Sequence, residues 1–228
     1  MDRIKNYLRS EKEKIGEIEG TASKFLYIWT YYYLWILGII AFIALLSFSI
    51  HQYFFTVNDN WFSITFANTR ADVGNHSKLW EEYLSFTSYD TKEKNLVFEA
   101  QSYFDYTKDV TGNTYFEVFV AQTEAGTMDA LTMEKESLLA TGASGLLLDL
   151  ESERCTSIRE KYADRFVYCK PYDEDYGKEK VAVGIDISDS RLMTKYHIYA
   201  ESCVIGICAY AEHLEAVEAF LDFVLSDD

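Results

Sequence analysis

TYFEVFVAQTEAG, residues 114–126, can be read two ways, and the choice decides the fold. Its aromatic and β-branched residues suit a strand. Its spacing points elsewhere. Phe116, Phe119, Val120 and Thr123 fall at i, i+3, i+4 and i+7, one face of a helix, and Gly126 is placed to cap the C-terminus. We take the segment as a helix.

With that choice the neighbouring stretches fall into alternation. WFSITFANT (61–69) and residues 96–103 have strand composition, and between them LWEEYLSFT (79–87) has helical apolar spacing, with Asn75 and Ser77 ahead of it as caps. After residue 126 come a short strand (127–133), a helix (134–141) and an apolar segment (146–150). A helix follows at 155–165, then strands at 166–169, 180–187 and 202–210 and a closing amphipathic helix at 213–225. Strands alternating with helices predict an α/β domain over residues 61–228 with a mixed, largely parallel sheet.

Upstream the character changes. FLYIWTYYYLWILGIIAFIALLSFSI (25–50) contains no Asp, Glu, Lys or Arg. As a helix it would extend roughly 39 Å, more than the roughly 30 Å of bilayer hydrocarbon, so we read it as a transmembrane helix. The run is too long for a signal-peptide core and does not end in small residues, which favours an uncleaved anchor. Tyr27, Trp29, Tyr31, Tyr32, Tyr33 and Trp35 crowd its first half as an interfacial belt. Residues 1–24 form a charged juxtamembrane tail with weak amphipathic helical character, and 51–60 a spacer.

Charge orients the anchor. The first 24 residues hold six basic and five acidic side chains, a balance of +1, which leaves −17 on the remainder. Past the span, Arg70 is the only basic residue before Lys78. The positive-inside rule then places the N-terminus in the cytoplasm and the C-terminal domain outside the cell membrane. So acidic a domain repels phosphate backbones, which argues against nucleic acid as a partner.

The chemistry-bearing residues are sparse. There is no G-x-S-x-G, no phosphate loop and no G-x-G-x-x-G, and His51, His76, His197 and His213 form no metal-binding pair. We expect no enzyme activity, no metal and no cofactor. The acidic run at residues 172–176 reads as a solvated loop rather than a calcium site. Cys155 and Cys169 could close a disulfide between a helix and a strand in an oxidising compartment, or all four cysteines could be buried thiols. Cys203 and Cys208, five residues apart on one strand, cannot pair.

Ligands of open α/β sheets sit beyond the carboxyl ends of the strands. Those ends carry Asn68, Thr69, Tyr103, Glu134 and Ser190, our candidates for contacts to a small polar solute. The competing role for Asn and Ser is the capping of turns and helices.

Four segments also carry a resemblance. They are KFLYIWTYYYLWILGII (24–40), FEVFVAQTEAGTMDALTMEKESLLATGASGLLLDLE (116–151), VAVGIDISDSRLM (181–193) and ESCVIGICAYAEHLEAVEAFLDFVL (201–225). In order and spacing they resemble single-span membrane proteins of Firmicutes with a reduced extracellular solute-binding-like domain of the type II periplasmic binding protein kind. The resemblance implies a membrane-anchored, non-enzymatic binding protein that acts as a local receptor or transport-associated component. Its alternative is an assembly subunit that meets a membrane-protein partner through this domain. The chain departs from the pattern in leaving room for only a small second lobe, and in having Met133-Glu134-Lys135 where the family often has Ala-Asp-Glu.

Overall fold

The chain forms two units, residues 1–56 and 57–228, and the computed structural model describes residues 2–55, 59–172 and 179–226. In the first unit, α1 (Asp2–Glu17) and α2 (Thr21–Phe55) are separated at Gly20, whose φ of +87° suits a residue without Cβ. α2 therefore starts four residues before the charge-free run and continues five beyond it. Its residues 21–50 are long and apolar enough to cross a membrane. α1 folds back on α2. Glu11, only 9% exposed, accepts from Lys14 Nζ (2.7 Å), Tyr32 Oη (2.5 Å) and Tyr27 Oη (3.3 Å). Lys14 and then the Tyr32 phenol hold the Glu11 carboxyl below the usual carboxylate range.

In the second unit the alternation inferred from residues 114–126 holds. That segment is a helix, α4 (Thr114–Glu124). The Asn113 side chain accepts from the amides of Tyr115 (3.0 Å) and Phe116 (3.2 Å) and caps its start. Gly126, at φ +68°, ends the turn beyond it, where a Cβ would come within 3.1 Å of the Tyr210 carbonyl. The remaining helices of the unit are α3 (Lys78–Thr87), α5 (Lys135–Ala143), α6 (Thr156–Tyr162), α7 (Arg191–Thr194) and α8 (Leu214–Leu225). Ser77 caps α3 by accepting from Trp80 N.

The strands are β1 (Asn60–Phe66), β2 (Asn95–Glu99), β3 (Ala130–Met133), β4 (Phe166–Cys169), β5 (Val181–Asp186) and β6 (Val204–Ile207), in the spatial order β2-β1-β3-β6-β5-β4. β1 pairs in parallel with β2 and β3, while β6, β5 and β4 join by antiparallel pairings. Thus β1, β2, β3 and β5 run one way, and β4 and β6 the other. The expected α/β class with a mixed, largely parallel sheet is what the chain adopts. Five of the six expected strands are shorter than read. β1 ends at Phe66 instead of Thr69, β3 starts at Ala130 instead of Thr127, and β5 loses a residue at each end. β2 and β6 lose most. β2 stops at Glu99, where the Glu99 carboxylate takes the Gln101 amide (2.5 Å), and β6 stops at Ile207.

The core follows from strand alternation. Phe62, Ile64 and Phe66 are fully buried on β1. Phe62 and Phe66 pack with Phe98, Tyr83 of α3 and Phe220 of α8, at ring separations of 5.3–6.3 Å. Tyr83 completes the contact by donating to the Ala216 carbonyl (3.1 Å). α5 approaches β5 so closely that a Cβ on Gly142 would lie 2.6 Å from Val183 Cβ.

Of the two alternatives left open for the cysteines, the structure has thiols. All four are free thiols, so the Cys155–Cys169 bridge is not made. Cys155 turns into the core, and burial raises its pKa, as it does for Cys203. Burial pushes Cys208 up to about 12. Such thiols pack rather than react. The acidic run at residues 173–176 and part of the spacer, residues 56–58, lie outside the described residues.

Candidate functional site

β1 lies between its two parallel partners. The chain leaves β1 through α3 to reach β2 on one side, then crosses through α4 to β3 on the other. The carboxyl ends of β1 and β3 therefore form a topological switch point, the place where an open sheet leaves a crevice for ligands. A cleft of about 570 Å³ is found there. Asn68, Arg70 and Ala71 follow β1 into it, and Glu134 and Ser137 follow β3. Its remaining wall is the segment after α7, Tyr196 to Ala200.

That wall is tied down from three directions. The Tyr199 phenol lies 2.8 Å from the Ala67 carbonyl and 2.7 Å from the Thr132 carbonyl, joining the ends of β1 and β3. Burial lifts its pKa well above the ordinary tyrosine value, so it stays a neutral donor. Thr69 Oγ1 donates to the Ile198 carbonyl (2.8 Å). Tyr196 Oη donates to Glu82 of α3 (2.6 Å), which also accepts from Lys195 (2.7 Å). Lys195 and then Tyr196 hold the Glu82 carboxyl below its usual range. His197, between these anchors, adopts φ +51° and is exposed at the cleft.

The five residues singled out by strand ends divide. Asn68 and Glu134 line this cleft. Thr69 and Tyr103 line an adjoining hollow of about 470 Å³ that shares Arg70 and also contains Asp72 and Glu99. Ser190 lines neither; it is 2% exposed and its carbonyl closes the first turn of α7 through the amides of Met193 and Thr194. Two of the others are also committed internally. The Asn68 side chain brackets the Phe104 backbone, accepting from its amide (3.0 Å) and donating to its carbonyl (2.6 Å). Thr69 is 1% exposed and spends its hydroxyl on Ile198 and Ala71. Internal hydrogen bonds therefore claim the side chains of Asn68 and Thr69, whereas the Ser190 hydroxyl is buried at the N-cap of α7 without a partner among the described residues.

Arg70 is the residue that strand-end reasoning missed, though it directly follows Asn68 and Thr69. Of the five arginines in this unit, Arg154, Arg159, Arg165 and Arg191 each donate to a backbone carbonyl or a side-chain oxygen. Arg70 has no hydrogen bond or ion pair among the described residues. In so acidic a domain, a guanidinium left unpaired is available to an incoming anion. Glu134 faces the same cleft from the N-cap position of α5, makes no capping bond and has no partner among the described residues. Behind Glu134, Ser137 donates to Asp105 (3.1 Å), which also accepts from Lys108 (2.7 Å) and Thr107. Burial pushes the Asp105 carboxyl up, but the bonds from Lys108, Thr107 and Ser137 outweigh it and bring it down to about 2.

A smaller hollow of about 300 Å³ between Tyr106, Ser144 and Tyr172 presents no ionised side chain. The buried Asp129 carboxylate at the start of β3 is consumed by the amides of Ser63 (2.9 Å) and His213 (3.0 Å) and by the His213 ring (3.1 Å). Among the described residues no group of three or more His, Cys, Asp or Glu side chains could hold a metal ion. The comparisons with protein-family models, curated proteins and solved structures gave no match, so the reading of this chain rests on the cleft itself.

Proposed function

We propose that this is a membrane-anchored, solute-binding-like protein without enzymatic activity. α2 holds it in the membrane, and the cleft at the switch point of its outer domain takes a small solute bearing both a carboxylate and an ammonium group. The observation that carries the reading is the pair of unpartnered opposite charges, Arg70 after β1 and Glu134 after β3, that line one cleft. A small solute bearing both charges can meet both side chains there. The cleft wall is fastened to the sheet by Tyr199 and Thr69, which supports a preformed site. The reduced type II binding-protein architecture suggested by the sequence fits this picture, with a single lobe supplying the polar contacts. Tied to the membrane, such a domain serves as a local receptor or as the binding component beside a transporter.

The test is thermal unfolding of the full chain in detergent with amino acids, short peptides and, as uncharged controls, neutral sugars. A ligand at a hundred times its Kd adds about 2.7 kcal/mol to stability. Stabilisation by zwitterions that disappears in both Arg70→Ala and Glu134→Ala supports the proposal. No response to any zwitterion, or a response untouched by both substitutions, sinks it. One observation favours a second reading, an assembly subunit that docks a membrane-protein partner. Tyr103, Tyr115 and Val118 are between 43% and 48% exposed near the start of α4. Crosslinking in membranes to a defined second protein, lost on Tyr115→Ser, would select that reading instead.

A further inference from the structure

We infer that bilayer hydrocarbon covers only the second part of α2, residues 34–55, and that its aromatic first part stands outside the hydrocarbon in a hairpin with α1. The inference rests on reading α2 as a membrane anchor.

Length raises the question. α2 has 35 residues, about 52 Å of helix, against a hydrocarbon thickness of about 30 Å. More than a third of the helix is therefore surplus. Charge does not say which end, because residues 25–50 carry none. The aromatic belt over the first half points to that end without setting a boundary.

The contacts of α1 do say. The Glu11 carboxylate is bound by Tyr32 Oη (2.5 Å) and Tyr27 Oη (3.3 Å), with the Lys14 ammonium 2.7 Å away. Wherever those two phenols sit, a carboxylate and an ammonium sit with them. On the other face of α1, two residues to either side of Glu11, Arg9 and Glu13 form a second, solvent-facing pair at 3.5 Å. Hydrocarbon does not accommodate such a row of charges, whereas the headgroup region and water do. Tyr27 to Tyr32 must then lie at or beyond the membrane surface, where phenols are at home.

What remains fits the bilayer. Residues 34–55 give about 33 Å of helix, a match to the hydrocarbon with little tilt. Leu34, Trp35, Leu37, Ile39, Ile40, Phe42 and their successors to Ile50 are exposed along this part, as a lipid-facing surface requires. Trp35 near its start supplies an aromatic residue for that interface.

The test uses the full chain in native membranes with single added cysteines at Ala22, Thr30, Tyr31, Ala41 and Ala44. A membrane-impermeant maleimide is applied from each face, with the unsubstituted chain and its four cysteines as background. Thr30→Cys and Tyr31→Cys should label from the same face as Ala22→Cys and to a similar extent. Ala41→Cys and Ala44→Cys should stay at background. Protection of Thr30→Cys and Tyr31→Cys at the level of Ala44→Cys overturns the inference while leaving the anchor intact. Release of the chain by alkaline carbonate overturns the anchor, and this inference with it.

Discussion

Replacing Tyr199 by Phe removes a single oxygen from the wall of the cleft, and the structure says what it should cost. The phenol sits within hydrogen-bond reach of the carbonyls of Ala67 and Thr132 and of Thr132 Oγ1 (3.1 Å). Its one proton serves one carbonyl at a time. The Thr132 carbonyl keeps a second donor, the Ala67 amide at 3.1 Å. The loss therefore falls on the Ala67 carbonyl and on the Thr132 hydroxyl, both on fully buried residues. Each orphaned group costs about 1 kcal/mol, the low end for a buried polar atom, so Tyr199→Phe should destabilise by about 2 kcal/mol. For a unit of this size that is a fall of roughly 4–8 °C in Tm. The assay is thermal and urea unfolding of the full chain in detergent, followed by near-ultraviolet circular dichroism. Thr132→Val in the same background should couple to Tyr199→Phe, because the two hydroxyls share one bond. A loss under about 0.5 kcal/mol, the level of an ordinary surface substitution, would show that the phenol does not hold the wall.

Three further expectations follow from the same packing. Asp129→Ala strands the amides of Ser63 and His213, each worth about 1–3 kcal/mol when buried without a partner; urea unfolding should show a loss of several kcal/mol, and Asp129→Asn, which keeps one acceptor, a smaller one. Gly142→Ala, a change worth about 1 kcal/mol of stabilisation in an open helix, should instead destabilise by about 1–3 kcal/mol, because the new methyl would meet Val183 Cβ and Cγ2 at 2.6 Å; a raised urea midpoint would refute the close approach of α5 to β5. The Asp105 carboxyl titrates at about 2 in the folded chain against 3.8 for the free group. Its contribution is therefore complete above the free value and lost as the pH falls from about 4 towards 2, and Asp105→Asn should flatten that part of the acid-unfolding curve.

Much of the order of elements was legible because local patterns reported it. The four-position apolar spacing of Phe116, Phe119, Val120 and Thr123 outvoted their strand-like composition, and the Asn113 cap shows why the helix wins at its first turn. The strand-end rule led to the right edge of the sheet, since β1 and β3 do end at the switch point. It then favoured Asn68, Thr69 and Ser190 for their polar side chains, but the fold spends the first two internally and buries the Ser190 hydroxyl without a partner among the described residues. Arg70 could have been found by the same rule. Tyr196, His197 and Tyr199 could not, because YHIYA carries no motif and reaches the cleft only through hydrogen bonds to residues more than sixty positions away. The sequence marked the aromatic first half of residues 25–50 as interfacial, but no charge within them marks where the hydrocarbon begins.

By itself, then, the sequence determined the class of fold, the apolar helix and the acidic character of the domain, because these depend on periodicity, composition and net charge, which are properties of consecutive residues. Only the tertiary structure decided which charges remain free and which are spent. Whether Arg70, Glu134 or Glu11 has a partner depends on what distant segments bring within about 3 Å, and no local pattern encodes that distance.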